Sequence, residues 1–361
     1  MVGRTRYRLP LEPGLARKFD ALRGVVELRV LASAAAGSPL GDGTFDLVPP
    51  VSPRALDGLA FHLALPWRVA RELRSFRPDL VLAQSPYDAA ASLLARRFAG
   101  GRTRVVVELH GDWRTATRLY GSRARRVLGP LVDRLGTAAL RRADAVRTVS
   151  PYTTALAREV GVEPVATFPA YMDLEPFLGP ASPVPTQLCA LFVGVLERYK
   201  NVDGLLEAWP EVAARVPGAR LRIVGDGSLR GLVAALPDGV RWDARLEPAE
   251  VAAALDEATV LVLPSRSEGM GRVLVEAFCR GRGVVATRVG GIPDLVEDGV
   301  SGLLVPPGST AALADALARV LADRALAERL GAGAANAAAA WRQAPAQYAE
   351  RMRDLVESQV G

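Results

Sequence analysis

At 361 residues the chain has room for two domains of ordinary size, each burying its own core. Half of its residues are hydrophobic and 23% charged, the balance of a soluble globular protein. No apolar run approaches the roughly 20 residues that span a bilayer, and the opening MVGRTRYRLPLEPG lacks the apolar stretch of a secretory leader, so a cytoplasmic protein is expected. The net charge is +6, but the arginines are scattered rather than interleaved with aromatics, which argues against nucleic acid as a partner. Only two of the 45 basic residues, Lys18 and Lys200, are lysines. Two cysteines, Cys189 and Cys279, and two histidines, His62 and His110, offer neither disulfide density nor metal-ligand spacing, and no metal site is expected.

Short β-branched runs alternate with amphipathic segments from end to end, the pattern of parallel sheets with crossover helices. In chain order the first half predicts strands at Val25–Leu31, Phe45–Val48, Asp79–Ala83, Arg104–Leu109, Ala145–Val149 and Val165–Phe168. Only Met1 and Val2 precede GRTRYR, so the usual opening strand is either nearly absent or entered part-way by the recorded start, and Gly3–Tyr7 reads as a loop. The second half predicts strands at Leu188–Val193, Arg220–Val224, Val240–Asp243, Thr259–Leu263, Gly283–Thr287 and Leu303–Val305. Between the halves the proline-rich PFLGPASPVPTQ continues neither helix nor strand. The expected division is a first domain over 1–178, a linker over 179–187, a second domain over 188–337 and a final helix within 338–361. In that helix Tyr348, Met352, Leu355 and Val356 fall at helical spacing and need an apolar surface.

Three stretches carry chemistry. In SEGMGRVLVEAF, Ser267–Phe278, a strand ends in a glycine loop that opens a helix. Ligands of open parallel sheets bind beyond the carboxyl ends of strands. The N–H groups of Gly269, Met270 and Gly271, at a helix amino terminus, favour an anion by roughly 0.3–1 kcal/mol from the dipole alone. Glu268 and Glu276 flank that anion site and fit it by accepting hydroxyls; the plainer alternative is a helix cap by Glu268 and a partly exposed Glu276. The second stretch is FVGVLERYKNVDGLLEAW, with Arg198 and Lys200 in the loop after Gly194; they are either anion-binding or a solvated surface pair. The third is VVVELHGDW, which puts His110 at a strand's carboxyl end with Asp112 able to orient it, or leaves that histidine satisfied by neighbouring backbone. The VGDG turn around Asp226 reads as structural, a weak dinucleotide signal.

From Pro264 to Gly308 the order PS, Glu-Gly-x-Gly, a second Glu eight residues on, GG-I-P and DG-x-x-G-L-L-V resembles glycosyltransferase family 4, retaining enzymes of the GT-B fold. The resemblance implies two Rossmann-like, doubly wound α/β domains facing across a cleft, with the C-terminal helix crossing back to the first. It implies that Glu268 contacts the transferred sugar, that the N–H groups around Gly269, Met270 and Gly271 hold phosphate, and that Glu276 receives ribose hydroxyls. Lys200 falls on the family's diphosphate-binding lysine, whereas Val195 stands where the family has arginine, with Arg198 as the nearest substitute. His110 matches a histidine near sugar and acceptor. Gly3–Tyr7 matches by position a loop of the family that faces the diphosphate and the acceptor, with Arg4 and Arg6 able to compensate for the missing glycine partner of Gly3. No Asp-x-Asp pair occurs, so no metal clamp is expected.

The implied function is metal-independent transfer of a hexose-type sugar from a UDP-, GDP- or ADP-sugar to an acceptor hydroxyl on a glycan, lipid-linked sugar or small molecule. No cofactor is permanently bound. Alternatives are a non-catalytic GT-B partner or binding subunit and a GT-B sugar-nucleotide epimerase or hydrolase. The Arg-rich segment 118–142, whose Leu128, Leu131, Val132 and Leu135 share a helical face, reads either as core packing or as peripheral contact with the inner face of a membrane.

Overall fold

The computed structural model describes the backbone of residues 1–52, 56–115 and 123–361 and their side chains except those of 123–128. Residues Met1–Asp173 with Gln343–Gly361 form one unit, and Leu174–Arg342 a second.

The first unit runs β1 (Val2–Tyr7), α1 (Pro13–Arg23), β2 (Val30–Ala34), β3 (Phe45–Val48), α2 (Asp57–Ser75), β4 (Leu80–Ala83), α3 (Pro86–Ala99), β5 (Arg104–Leu109), α4 (Arg123–Arg142), β6 (Ala145–Thr148), α5 (Pro151–Glu159) and β7 (Ala166–Thr167). The strands form a parallel sheet in the order β3-β2-β1-β4-β5-β6-β7. Helix starts follow local chemistry. Proline occupies the first turn of α1, α3 and α5, where its missing N–H costs nothing, and Ser85 and Ser150 cap the last two.

Two expectations change here. GRTRYR is not a loop: Gly3–Tyr7 lies in β1, the centre of the sheet. Its polar residues are tolerated because Val2 pairs with Ala83, the last residue of β4, so Arg4, Thr5 and Arg6 lie beyond that neighbour's end. The strand expected at Val25–Leu31 begins at Val30, because Val25 and Val26 are taken up closing α1, both N–H groups donating to the Leu22 carbonyl.

The second unit runs β8 (Cys189–Val193), α6 (Val202–Arg215), β9 (Arg220–Val224), β10 (Val240–Asp243), α7 (Pro248–Asp256), β11 (Val260–Leu263), α8 (Arg272–Cys279), β12 (Val284–Thr287), β13 (Gly302–Val305), α9 (Thr310–Ala322) and α10 (Arg324–Ala338). Its parallel sheet has the order β10-β9-β8-β11-β12-β13. The near-continuous apolar runs CALFV, VLVL and VVAT are the central strands, covered on both faces. The stretch 179–187, expected as a linker, is fastened to this unit. Val184 enters its core, and the buried Arg282 guanidinium donates to the carbonyls of Ser182 and Pro183.

The last helix, α11 (Pro345–Val360), belongs to the first unit. Tyr348, Met352 and Leu355 join Tyr7, Phe19 and Phe45 in one core, the latter three packed edge to face at 4.9–5.7 Å. In α4 the face read as core packing or membrane contact is only partly covered: Val132 is half-buried and Leu131 and Leu135 are exposed, while Gly136, Ala139 and Leu140 turn inward. A Cβ on Gly136 would stand 2.9 Å from the Trp113 ring, so the helix approaches on its smallest residue. Residues 118–122, and the side chains of Arg125, Arg126 and Leu128, lie outside the described residues.

Candidate active site

In each sheet the strand order reverses once, between β1 and β4 in the first and between β8 and β11 in the second. Crevices at such switch points are where open α/β sheets take ligands. In the second unit the loops leaving β8 and β11 carry Gly194–Lys200 and Pro264–Gly271. Lys200 closes a short 3-10 turn, Arg198–Lys200, and its Nζ lies 2.6 Å from Glu268 Oε2. Both side chains are nearly buried, at 11% and 13% exposure. Ser265 Oγ donates to the same carboxylate oxygen at 3.1 Å. Glu268 therefore has its direction set by a cation and a hydroxyl before any ligand arrives.

Beyond Glu268 the chain passes Gly269 and the buried Met270 to Gly271, whose φ of +76° makes it the cap of α8 with no side-chain acceptor on the first-turn amides. Among the described residues the N–H groups of Gly269, Met270, Gly271 and Arg272 donate to nothing in the protein. Four unengaged donors at the positive end of a helix next to a lysine make an oxyanion site. Among the described residues Glu276, one turn into α8, has only Arg272 within ion-pair range, at 3.8 Å, and no hydrogen bond. Burial pushes its carboxyl above the ordinary range, with Arg272 and Lys200 pulling it partly back.

The loop geometry rests on glycines elsewhere. A Cβ at Gly290 would stand 1.8 Å from the Glu268 carbonyl, and one at Gly291 2.1 Å from that of Gly269, so the GG-I-P turn lies directly against the Glu-Gly loop. The VGDG turn does the same for the other loop. A Cβ at Gly225 would stand 1.9 Å from the Gly194 carbonyl, and Asp226 accepts from the next amide. Glu197 accepts from the N–H and the hydroxyl of Ser228.

Of the residues singled out in the sequence, Lys200, Glu268, Gly269, Met270, Gly271 and Glu276 converge here. Arg198 is an exposed neighbour whose side chain has no partner among the described residues; its carbonyl accepts from Arg266. Val195 is 46% exposed on the same loop. His110 and Gly3 belong to the first unit. His110 stands at the end of β5 with Nε2 3.5 Å from Glu108, which is buried and paired to Arg147. Burial alone would raise the Glu108 carboxyl, but Arg147 and His110 outweigh it and hold the carboxyl far below the ordinary range. Asp112 does not orient His110; it is engaged by Arg114 and Thr115 within its own turn. Gly3 is packed against Gln84, which leaves no room for a side chain.

Two contributors escaped sequence reading. Ser265 stood in plain view beside Pro264. The Arg266–Asp203 pair, at 2.8 Å, joins segments 63 residues apart and has no local signal.

The two parallel-sheet units make this a GT-B fold. Residues 188–323 match the family described as Glycosyl transferases group 1, and residues 14–175 match Glycosyltransferase Family 4. The chain belongs to this family of glycosyltransferases. Among curated relatives, a D-inositol 3-phosphate glycosyltransferase of Streptomyces bingchenggensis is 38% identical over 190 residues, 47% of this chain and 42% of that protein. An alpha-D-kanosaminyltransferase of Streptomyces kanamyceticus is 35% identical over 156 residues, 42% of this chain and 40% of that protein. The matches thus span about two-fifths of these relatives' length. Among solved structures, a sucrose-phosphate synthase from Thermosynechococcus elongatus superposes with a TM-score of 0.78 at 23% identity, covering 95% of this chain and 93% of that one. Anabaena HepE in complex with UDP-glucose superposes at 0.71 and 19% identity, covering 99% and 98%.

Proposed function

We propose that the protein is a retaining, metal-independent glycosyltransferase that moves a hexose-type sugar from a nucleotide-diphosphate sugar to an acceptor hydroxyl. The observation that carries this reading is Lys200 held against Glu268 beside the unengaged amides of Gly269–Arg272. A diphosphate set against those donors meets one full positive charge and a helix terminus, the preorganised charge that a leaving phosphate needs as its bond to the sugar breaks. Arg198, on the same loop and without a side-chain partner among the described residues, can add a second charge. Glu268 accepts from the sugar, and Glu276, nearly buried and without a hydrogen bond among the described residues, accepts from the ribose hydroxyls. The departing phosphate takes the proton of the attacking hydroxyl on the same face, which retains configuration. His110, exposed at the end of β5, serves the sugar and acceptor side. A UDP-sugar is the first donor to test, since HepE was solved with UDP-glucose. Where the acceptor carries lipid, Leu131 and Leu135, exposed beside Arg134, suit the inner face of a membrane.

The test is turnover of UDP-, GDP- and ADP-sugars with and without sugar acceptors, the anomeric configuration of the product being read by NMR. Slow donor hydrolysis without acceptor and a retained anomer with it support the reading; inversion rules out the retaining step. The exposed Val195, standing where the family has arginine, favours a second reading, a non-catalytic binding subunit. That reading requires donor binding with no hydrolysis at all.

A further inference from the structure

The first unit has its own switch-point crevice, at the carboxyl ends of β1 and β4, and it is built around two buried carboxylates. Asp57, at the start of α2 and 6% exposed in its side chain, accepts the Val51 N–H with one oxygen. The other oxygen takes Arg6 Nη2 at 2.6 Å and Arg4 Nη2 at 3.5 Å. The two arginines remain 40% and 35% exposed, Arg4 and Arg6 respectively, so one buried carboxylate aims two guanidiniums that keep donors free. Asp88, in the first turn of α3, is also buried; one oxygen receives Ser85 Oγ, and the other lies 3.6 Å from His62 Nε2. His62 Nδ1 is fixed by the Gly58 carbonyl at 2.7 Å. Burial works against the charged imidazole, but Asp88 and the Gly58 carbonyl outweigh it and raise the pKa. Thr5 and Gln84, bonded to each other, complete the floor.

Two guanidiniums and the His62 imidazole thus share two buried carboxylates at the head of two helices, and the guanidiniums keep N–H donors that no described residue takes. A carboxylate this deeply buried is costly, and fastening α2 to β1 needs one arginine, not two. We propose that Arg4, Arg6 and His62 form an oxyanion subsite on the acceptor side, so that the acceptor carries a phosphate or carboxylate. This rests on the transferase reading for the word acceptor; the subsite itself does not.

The test is calorimetric titration of the full chain with glucose 6-phosphate, inorganic phosphate and glucuronate, each against glucose, using wild type, Arg4→Gln, Arg6→Gln and Lys200→Ala. Expected is at least tenfold tighter binding of one oxyanion probe than of glucose, lost about tenfold in Arg4→Gln and Arg6→Gln and unchanged in Lys200→Ala. Arg4→Gln, which spares the shorter Arg6–Asp57 pair, carries the test where Arg6→Gln melts early. Equal affinity for charged and neutral probes overturns the subsite. So does a loss in Lys200→Ala alone, which assigns the anion to the second unit's donor site. A chain that turns over no donor yet binds phosphate through Arg4 and Arg6 refutes the transferase reading alone. Transfer to neutral acceptors only, unchanged in both arginine variants, refutes the acidic acceptor alone.

Discussion

Glu276 and Lys200 are the two side chains whose removal separates donor binding from chemistry. Glu276 is nearly buried and has no hydrogen bond among the described residues. On the proposed reading the ribose supplies that bond, worth roughly 1.5–3 kcal/mol for a charged acceptor. Glu276→Ala is therefore expected to weaken nucleotide-sugar binding about 10- to 150-fold by calorimetry; unchanged affinity removes the ribose assignment. Because its folded pKa is raised, the ionised carboxyl destabilises the unliganded protein above the ordinary value of 4.5, and the effect vanishes below it. Glu276→Gln should therefore melt higher than wild type at pH 7 and alike near pH 4. Lys200→Ala should slow transfer about 100-fold while shifting donor affinity far less, the mark of a charge used in the transition state. Equal losses in both quantities point instead to plain ground-state attraction. Lys200→Arg is not expected to rescue, since a planar guanidinium fork cannot reproduce the compact ammonium held 2.6 Å from Glu268.

Elements meet through backbone as much as through side chains. The GG-I-P turn is in van der Waals contact with the Glu-Gly loop, so Gly291→Ala must displace one of them. It should lower both the melting temperature and donor affinity, by tenfold or more for the latter; loss of stability without loss of affinity refutes a shared geometry. In the first unit Glu108 and Arg147 are direct cross-strand partners on β5 and β6. The Arg147 guanidinium also lies 3.7 Å over the Phe168 ring. Glu108→Gln strands that buried cation, at about 3–5 kcal/mol measured by denaturant unfolding. The depressed Glu108 pKa contributes stability that is present above pH 4.5 and is lost as the pH falls toward the folded value. The variant should lack that acid dependence. The strands were legible because continuous apolar runs have few other uses, and the exceptions are β1 and β2. RTRY in β1 reads as a loop until its position past the end of β4 is known, and β2 starts at Val30 because Val25 and Val26 close the preceding helix.

Across the whole molecule, the chain returns to its first unit for the last helix. Tyr348 is 1% exposed and packs at 6.2 Å from Phe168 and 5.8 Å from Tyr171. Burial pushes its phenol well above the ordinary range, so it stays neutral at any physiological pH. Tyr348→Ala should destabilise the first unit by about 3–5 kcal/mol, and proteolysis should then find that unit before Leu174–Arg342. Equal susceptibility of both units argues against a separable core.

The sequence by itself determined the fold class, the family and the loop that carries Glu268, Met270 and Glu276, because strand runs and glycine punctuation are local properties of the chain. Tertiary structure alone decided the rest. Lys200 meets Glu268 across 68 residues, Arg6 meets Asp57 across 51, and His110 turns to Glu108 rather than Asp112. The first two depend on which elements become neighbours at a switch point, and the third on β6 lying beside β5, where Arg147 pairs with Glu108. Strand order is written in the packing of whole sheets rather than in any single stretch of residues.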